Sequence, residues 1–397
     1  MVLEAEAHCV MFKLYILRLI FSFTCLGVLA SNFWTMRNWT ERTGVYDDIC
    51  YLRQAHLFQR FGLGGFDTNI TRDDDRYFAT LAREIGYQAW DDPARAPCHT
   101  PIGEKNVIQY PPGTGLALSI FPAGFQRVPL YAAANIVVFL AAIFAIWSTR
   151  PPLAIVGSGI LGAAAIYFII NPSKASYSMA PTMIVCAIVG FLTAVLANHP
   201  RSLHRTIAAA ASGLLLGLAV SFRLPNLLLS AGYFIVLLAL AARSTKSDDI
   251  VRLILFGAAF LVGLVPTLVS NAINAGSILA TTYSSVDATP PDFSFSIARQ
   301  YFSDMQGALV FLIATWSIVA LAVNVKKTAA SIVAVNIVLN LGFFLTHAIS
   351  TPYYLMPLVL LSMWTLLFSF LNDPSESVYP PGELTLATVI KTGPRQE

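Results

Sequence analysis

The first long apolar segment of the chain leads into a polar region that contains the stretch Val45-Tyr46-Asp47-Asp48-Ile49-Cys50-Tyr51-Leu52-Arg53-Gln54-Ala55. Acidic pairs are rare in this sequence, and Asp47 and Asp48 lie where a lipid-facing helix gives way to a large polar loop. From Asp48 to Phe61 the pattern predicts a helix lying in the plane of the membrane surface. Because a helix N-terminus favours negative charge, capping alone is one interpretation of the pair. Chemistry at the membrane surface is the other.

The composition is typical of a membrane protein. The 397 residues are 56% hydrophobic and only 12% charged, whereas soluble domains carry about 25% charged residues. Apolar runs of about 18 residues or more recur along the chain. We therefore predict an all-α polytopic membrane protein of about ten spans, near residues 12–34, 129–147, 152–170, 177–197, 206–222, 225–242, 251–272, 305–323, 328–346 and 352–371.

Two boundaries of this membrane domain need an interpretation. A short apolar helix over 116–125 would form one broken passage with the span that follows it. Near the start of the chain, Val28-Leu29-Ala30 resembles a signal-peptidase site. The apolar run there is long for a signal peptide, so we expect the first helix to be retained as an anchor. The predicted membrane domain covers residues 1–372, and a Pro-rich tail follows over 373–397.

Positive charges assign the two sides of the membrane. With a cytoplasmic N-terminus, the short outer loops hold only Lys174, Arg223 and Arg299 as isolated cations, whereas the inner loops hold Arg150, Arg201, Arg205, Arg243, Lys246, Arg252, Lys326 and Lys327, with Lys391 and Arg395 in the tail. The positive-inside rule then places the long loop, about residues 35–112, on the outer face, and the tail in the cytoplasm. Since no basic stripe with interleaved aromatic residues occurs, we expect no nucleic-acid partner.

The outer loop is long for a connection between spans, and loops of this length are usually functional. Cys50 and Cys98 both fall in it. They either form a disulfide, which an extracytoplasmic loop allows, or remain two thiols. The run Asp73-Asp74-Asp75 could bind a divalent cation. Three consecutive carboxylates do not point at one site on a helix or strand, so a solvated turn is favoured and no metal ligand is assigned.

Two cations stand out on the outer face. Arg223 lies between two spans, where an unpaired charge is costly. It either extends to the membrane surface or binds a phosphate, for which arginine offers a planar pair of donors. Lys174 allows the same two interpretations.

Four stretches in this order resemble the GT-C superfamily, integral-membrane glycosyltransferases that use lipid-phosphate-linked sugars. The group includes the protein O-mannosyltransferases, the lipid A aminoarabinose transferases and their bacterial relatives. The matching stretches are Asp47-Asp48-x-x-Tyr51, Tyr110-Pro111-Pro112-Gly113, Gly217-Leu218-Ala219-Val220-Ser221-Phe222-Arg223, and the spaced set Pro266, Asn271, Asn274, Gly276 and Tyr283. Many relatives have Glu where this chain has Asp48. The chain is shorter than most of them, so we expect no soluble C-terminal domain of the kind that they carry.

The resemblance implies a mechanism. The donor would be a polyprenyl-phosphate sugar whose phosphate is held by Arg223 and Lys174, and the acceptor would be a hydroxyl of a glycan, lipid or protein. Asp47 would act as the general base of an inverting transfer, and Asp48 would orient the acceptor or bind a cation. The candidate substrate contacts are Tyr51, Tyr110, Asn271, Tyr283 and Tyr353. A divalent cation is an open cofactor that nothing in the sequence requires.

The outer face would be the periplasm in a bacterium or a secretory lumen in a eukaryote, and the compact chain favours the bacterial inner membrane with the active site on the periplasmic side. Two other functions stay open. A transporter or lipid flippase would explain the many spans, but it predicts charged residues at mid-membrane depth, and the spans are nearly free of them. A membrane subunit without catalytic activity is the third reading, and the presence of both Asp47 and Arg223 weighs against it.

Overall fold

The computed structural model describes residues 2–41, 47–87, 95–149, 151–171, 176–244, 247–283, 291–303, 305–347 and 352–371. The predicted phosphate ligand Lys174 and the tail over 373–397 lie outside these described residues. The helices are α1 (Val2–Met36), α2 (Asp48–Phe61), α3 (Tyr77–Glu84), α4 (Gly113–Ser119), α5 (Arg127–Ser148), α6 (Pro152–Phe168), α7 (Met179–Asn198), α8 (Ser202–Phe222), α9 (Leu227–Arg243), α10 (Ser247–Ala275), α11 (Phe295–Ser303), α12 (Met305–Ala322), α13 (Lys327–Thr346) and α14 (Met356–Leu371). Two short strands, β1 (His99–Ile102) and β2 (Lys105–Ile108), form an antiparallel hairpin.

Within the described ranges, nine helical segments are long and apolar enough to cross a membrane. They are Met11–Met36, Arg127–Ser148, Met179–Asn198, Ser202–Phe222, Leu224–Arg243, Ser247–Ala275, Met305–Ala322, Lys327–Thr346 and Tyr353–Phe370. A tenth apolar helix, α6, has 17 residues, the lower limit of what a span needs. The chain is therefore an integral membrane protein of all-α, polytopic architecture, as predicted.

The short helix predicted over 116–125 differs from the helix observed there. Helix α4 begins at Gly113 and ends at Ser119. Pro122 follows three residues later, and a proline disfavours the helical conformation for the residue before it. Helix α4 packs against α2 and against the end of α8, so it belongs to the outer region.

The spans pack around α14, which is buried along most of its length, whereas α1 lies at the periphery. The closest helix pair is α8 with α10. A Cβ added at Gly217 would collide with the backbone of Phe260, and one added at Gly263 would lie 2.7 Å from the backbone nitrogen of Leu218. Small residues of this kind let membrane helices approach closely. The pair holds the end of α8, where Arg223 follows, in a fixed place.

The helix predicted over Asp48–Phe61 is present as α2. Ten of its 14 residues are buried, including both polar and apolar ones. Protein therefore covers α2 along most of its length. Helices α3 and α4 pack against α2, and the hairpin is joined to it by the contacts of Cys50 and Arg53, so polar groups on α2 have protein partners instead of water.

Cys50 and Cys98 form a disulfide with a Cα–Cα distance of 6.5 Å, which settles the open alternative in favour of pairing. The bond joins the first turn of α2 to the residue before β1 across 48 positions of sequence. It therefore ties the segment that carries the acidic pair to the hairpin.

Removing this disulfide in a Cys50→Ala/Cys98→Ala variant should lower the stability of the protein by about 2–5 kcal/mol, the usual cost for a native disulfide. The variant should unfold at a lower temperature in detergent, and reductant should affect only the wild type. Alkylation followed by mass spectrometry provides the control. Cys50 and Cys98 should be modified only after reduction, and their modification beforehand would contradict the pairing.

Arg53 and His99 form a second buried connection between α2 and the hairpin. The Nη1 of Arg53 lies 2.6 Å from Nε2 of His99 and donates to the carbonyl of Thr68 at 2.8 Å. The Nδ1 of His99 lies 2.6 Å from the carbonyl oxygen of Pro97. Because an arginine can only donate, both contacts are satisfied by a neutral imidazole that carries its proton on Nδ1. Burial and the adjacent Arg53 lower the pKa of His99 to about 3.

This lowered pKa predicts an acid sensitivity. Well above pH 6.5 the imidazole is neutral in the folded and the unfolded chain, so it adds little pH dependence there. Below about pH 6.5 the unfolded chain binds a proton that the folded chain does not bind. Stability should therefore fall by up to about 1.4 kcal/mol per pH unit between pH 6.5 and the folded pKa. His99→Gln should remove this part of the slope in melting curves recorded from pH 7 to 4; an unchanged slope would exclude His99 as its source.

The three consecutive carboxylates Asp73, Asp74 and Asp75 do not converge on one site, although Asp74 and Asp75 both pair with Arg60. Asp73 accepts from the backbone N–H groups of Phe78 and Ala79 at the start of α3, at 2.8 and 3.2 Å. Asp74 pairs with Arg60, and Asp75 lies 2.7 Å from Nε2 of His56. The carboxylates serve helix capping and surface ion pairs, as the solvated-turn interpretation predicts.

Candidate active site

The described residues line a small, partly open cavity at the end of the spans where α1 finishes and α5 begins. Its walls come from six segments that are far apart in the sequence. The lining residues are Asp47, Tyr51, Tyr110, Ser176, Ser178, Arg223, Pro225, Tyr283, Tyr353 and Tyr354. The segments all lie in connections that the predicted topology places on one side, so folding brings the outer connections together.

Asp47 contributes the carboxylate of the cavity. It precedes α2 directly, but its side chain makes no capping hydrogen bond to that helix. The hydroxyl of Tyr110 donates to Oδ1 of Asp47 at 2.6 Å. Burial, the nearby Asp47 charge and this hydrogen bond raise the pKa of Tyr110. The phenol therefore stays protonated and holds the carboxylate in one orientation toward the cavity.

Helix α4 sets the distance between Asp47 and the end of α8. A Cβ added at Gly113 would lie 2.7 Å from the carbonyl oxygen of Ser221, and one added at Gly115 would lie 2.9 Å from Oε1 of Gln54. The hydroxyl of Thr114 between them donates to the carbonyl of Phe222 at 3.2 Å. The stretch Tyr110-Pro111-Pro112-Gly113 is thus the spacer that brings α2 and α8 to one cavity.

Alanine at Gly113 or Gly115 should destabilise the protein, because the added methyl group meets backbone or a tightly held side chain. We expect a cost of about 1–3 kcal/mol, the range for overpacking. Gly157→Ala is the matched control, because a Cβ there meets nothing within 4 Å. Thermal unfolding in detergent should separate the variants. Equal melting temperatures would show that α4 can move away from α2 and α8.

Arg223 contributes the cation and is 6% exposed. Its guanidinium lies 4.3 Å from the ring centre of Tyr354 and 5.0 Å from that of Tyr353. Its Nη1 contacts the sulfur of Met179 at 2.7 Å. No ion pair joins Arg223 to a carboxylate among the described residues. A buried cation held by rings and a thioether retains its attraction for an anion.

Three membrane helices begin at this cavity. Ser176 and Ser178 precede α7, Arg223 and Pro225 precede α9, and Tyr353 and Tyr354 precede α14. The N-terminus of a helix carries a partial positive charge and N–H groups without helical partners. Together with Arg223, these ends make this side of the cavity favourable for an anion such as phosphate.

Six of the predicted site residues meet in the cavity: Asp47, Tyr51, Tyr110, Arg223, Tyr283 and Tyr353. Tyr51 and Tyr110 pack with ring centres 5.3 Å apart, and Tyr283 meets Tyr110 at 6.2 Å. Tyr283 is positioned by its neighbour Thr282, whose hydroxyl donates to the carbonyl of Gln109 at 2.8 Å. The tyrosine rings form one wall beside the carboxylate.

Two predicted site residues do not line the cavity. Asp48 is 2% exposed, and its Oδ1 accepts from the backbone N–H of Tyr177 at 2.8 Å. Asn271 lies on α10 and makes a long hydrogen bond to the carbonyl of Ile278 at 3.4 Å. Its neighbour Asn274 binds the outer region instead, accepting from the backbone N–H of Thr68 and donating to the carbonyl of Phe66.

The sequence interpretation missed four lining residues: Ser176, Ser178, Pro225 and Tyr354. Each lies within two residues of a predicted site residue or of the start of a span. Their position next to helix N-termini on the outer face is the signal that could have identified them. Serine and proline in such places are common, so the sequence alone does not distinguish a cavity wall from an ordinary turn.

The chain matches no protein-family model, and no curated protein is significantly similar to it. The cavity itself combines a carboxylate, a buried cation, aromatic rings and two hydroxyls. A carboxylate can accept a proton from a bound hydroxyl. A fixed cation and helix N-termini can stabilise a phosphate as it becomes a leaving group. The arrangement suits group transfer from a phosphate ester at the membrane surface.

Proposed function

We propose that the chain is a GT-C-type membrane glycosyltransferase that moves a sugar from a polyprenyl-phosphate donor to an acceptor hydroxyl on the outer face. One observation carries the proposal: Asp47 and Arg223 line the same cavity. They are 176 residues apart in the sequence (223 − 47). The base and the phosphate site of such a transfer have to lie together at the membrane surface, where the lipid-linked donor is held.

Arg223 and the N-termini of α7, α9 and α14 would bind the donor phosphate. Lys174, the second predicted phosphate ligand, belongs to the connection that carries Ser176. A second, smaller cavity adjoins Arg223 and Tyr354, and its other lining residues are Pro225, Asn226, Leu229, Asn340, Phe344 and Pro357.

In the transfer step the acceptor hydroxyl attacks the anomeric carbon while Asp47 takes its proton. A new C–O bond forms, the bond from the anomeric carbon to the phosphate oxygen breaks, and polyprenyl phosphate leaves with that electron pair. Arg223 stabilises the charge that develops on the leaving phosphate. Attack on one face inverts the anomeric centre, so one base suffices. The tyrosine wall packs against the sugar, whose C–H faces are apolar.

The proposal places the reaction on the periplasmic side of a bacterial inner membrane. The acceptor is a glycan, a lipid or a protein. A divalent cation remains an open cofactor, and the step above is written without one.

The test is sugar transfer by purified protein in liposomes that contain short-chain polyprenyl-phosphate hexoses and pentoses. We expect release of polyprenyl phosphate and a product of inverted anomeric configuration by NMR. A lipid-translocation assay on the same liposomes addresses the transporter alternative. Movement of the donor across the bilayer without any broken glycosidic bond would overturn the proposal in favour of a flippase.

A further inference from the structure

The contact between Asp48 and Tyr177 joins two parts of the chain that are 129 positions apart. Asp48 lies in the first turn of α2, and Tyr177 precedes α7. The carboxylate is buried and accepts the Tyr177 backbone N–H at 2.8 Å. The carboxylate therefore fixes the backbone of the connection before α7, which is distant from Asp48 in the sequence. Helix capping within α2 does not explain this contact.

The connection that Asp48 holds carries much of the cavity. The hydroxyls of Ser176 and Ser178 line it and lie 2.9 Å apart. Tyr131, on α5, donates from its hydroxyl to the carbonyl of Ser176 at 3.2 Å. The next residue, Met179, contacts Arg223 through its sulfur at 2.7 Å. The segment 176–179 thus connects the Asp48 carboxylate to the phosphate-binding side of the cavity.

We infer that Asp48 is a positioning residue that holds segment 176–179 in the geometry needed for donor binding. This segment carries the two cavity serines and Met179, which contacts Arg223. The inference rests on the proposed function and changes the role expected for Asp48, from contact with acceptor or cation to support of the donor site. Neighbouring residues on a helix do not face the same direction. Since Asp47 faces the cavity, Asp48 is directed away from it.

The role requires a hydrogen-bond acceptor at position 48 and no transferable proton. Asp48→Asn keeps an oxygen that can accept from the Tyr177 N–H, whereas Asp48→Ala removes it. We expect Asp48→Asn to keep at least about a third of wild-type turnover with an unchanged pH profile. Asp48→Ala should raise the donor KM and weaken binding of a short-chain polyprenyl phosphate by about tenfold, the loss of one hydrogen bond to a charged group.

The experiment compares Asp48→Asn, Asp48→Ala and Asp47→Asn for turnover, donor KM, polyprenyl-phosphate binding and thermal unfolding. Asp47→Asn should bind the phosphate normally and fail to transfer. The inference is overturned if Asp48→Asn turns over as slowly as Asp47→Asn, or if Asp48→Ala binds the phosphate as tightly as the wild type. In either case, transfer by the wild type still supports the proposed function. If the wild type transfers no sugar, the proposed function fails. Polyprenyl-phosphate affinity and melting temperature still test whether Asp48 supports segment 176–179. Equal affinities and melting temperatures for Asp48→Asn and Asp48→Ala would overturn that role.

Discussion

Asp47→Asn is expected to lower sugar transfer by about 10²–10⁴-fold, the contribution of a general base. The amide has the size of the carboxylate, and its oxygen can still accept the hydroxyl of Tyr110, which bonds to Oδ1 at 2.6 Å in the wild type. It cannot take a proton from the acceptor. The loss should therefore appear in kcat, while donor KM and melting temperature stay close to the wild-type values.

Two variants make this measurement selective. Asp74→Asn changes another carboxylate of the outer region, which pairs with Arg60 on the surface away from the cavity, and it should transfer sugar at the wild-type rate. Tyr110→Phe keeps the base and removes the hydrogen bond that orients it, so we expect a smaller loss, about tenfold. Transfer by Asp47→Asn at more than about a tenth of the wild-type rate would be incompatible with a base at Asp47.

Arg223→Lys is expected to weaken donor binding by about 10–100-fold, and Arg223→Ala by more. Arginine can bind a phosphate through two parallel hydrogen bonds, and each hydrogen bond to a charged group contributes about 1.5–3 kcal/mol. Lysine keeps the charge but offers a single donor point and a shorter reach. It also loses the planar contact with Tyr353 and Tyr354, whose ring centres lie 5.0 and 4.3 Å from the guanidinium.

Arg252→Lys is the matched control for this experiment. Arg252 is also buried in a membrane helix, but it lies near the start of α10 at the opposite end of the spans, where it pairs with Asp249 at 2.5 Å and Asp248 at 3.5 Å. Its replacement should leave the donor KM unchanged. The measurement is donor KM together with competition by a short-chain polyprenyl phosphate. An Arg223→Lys variant with wild-type affinity would move the phosphate site elsewhere.

The two predictions also separate the proposed enzyme from a transporter. In an enzyme the Asp47 variant binds donor and fails in chemistry, while the Arg223 variants fail in binding. A transporter makes and breaks no covalent bond in its substrate. Both substitutions would then lower the same activity, transport of the bound substrate. The split between kcat and KM therefore reports the function as well as the roles of the two residues.

Much of the architecture could be predicted from the sequence because hydropathy is a local property. A window of about 20 residues suffices to identify a span, and the described helices correspond to the predicted spans within a few residues. The helix over Asp48–Phe61 could likewise be predicted from local pattern. The distribution of positive charge then predicted that Asp47, Arg223 and the tyrosines lie on the same side of the membrane. In the structure they line one cavity.

Side-chain direction and partner choice could not be predicted in the same way. In the sequence Asp47 and Asp48 form a single acidic pair. In the structure Asp47 lines the cavity, whereas Asp48 accepts a hydrogen bond from the Tyr177 backbone. Ser176 and Ser178 have no distinguishing pattern, and the pairing of Cys50 with Cys98 stayed open until their positions were known. Burial of α2 on most sides depends on α3, α4 and the hairpin, which a helical periodicity does not reveal.

The sequence by itself determined that this chain crosses a membrane many times and carries an acidic loop beside one end of its spans, because both features are sums over neighbouring residues. Only the tertiary structure decided which carboxylate lines the cavity and which one supports the connection before α7. That choice depends on contacts across 129 positions of sequence, and such contacts exist only once the helices have packed.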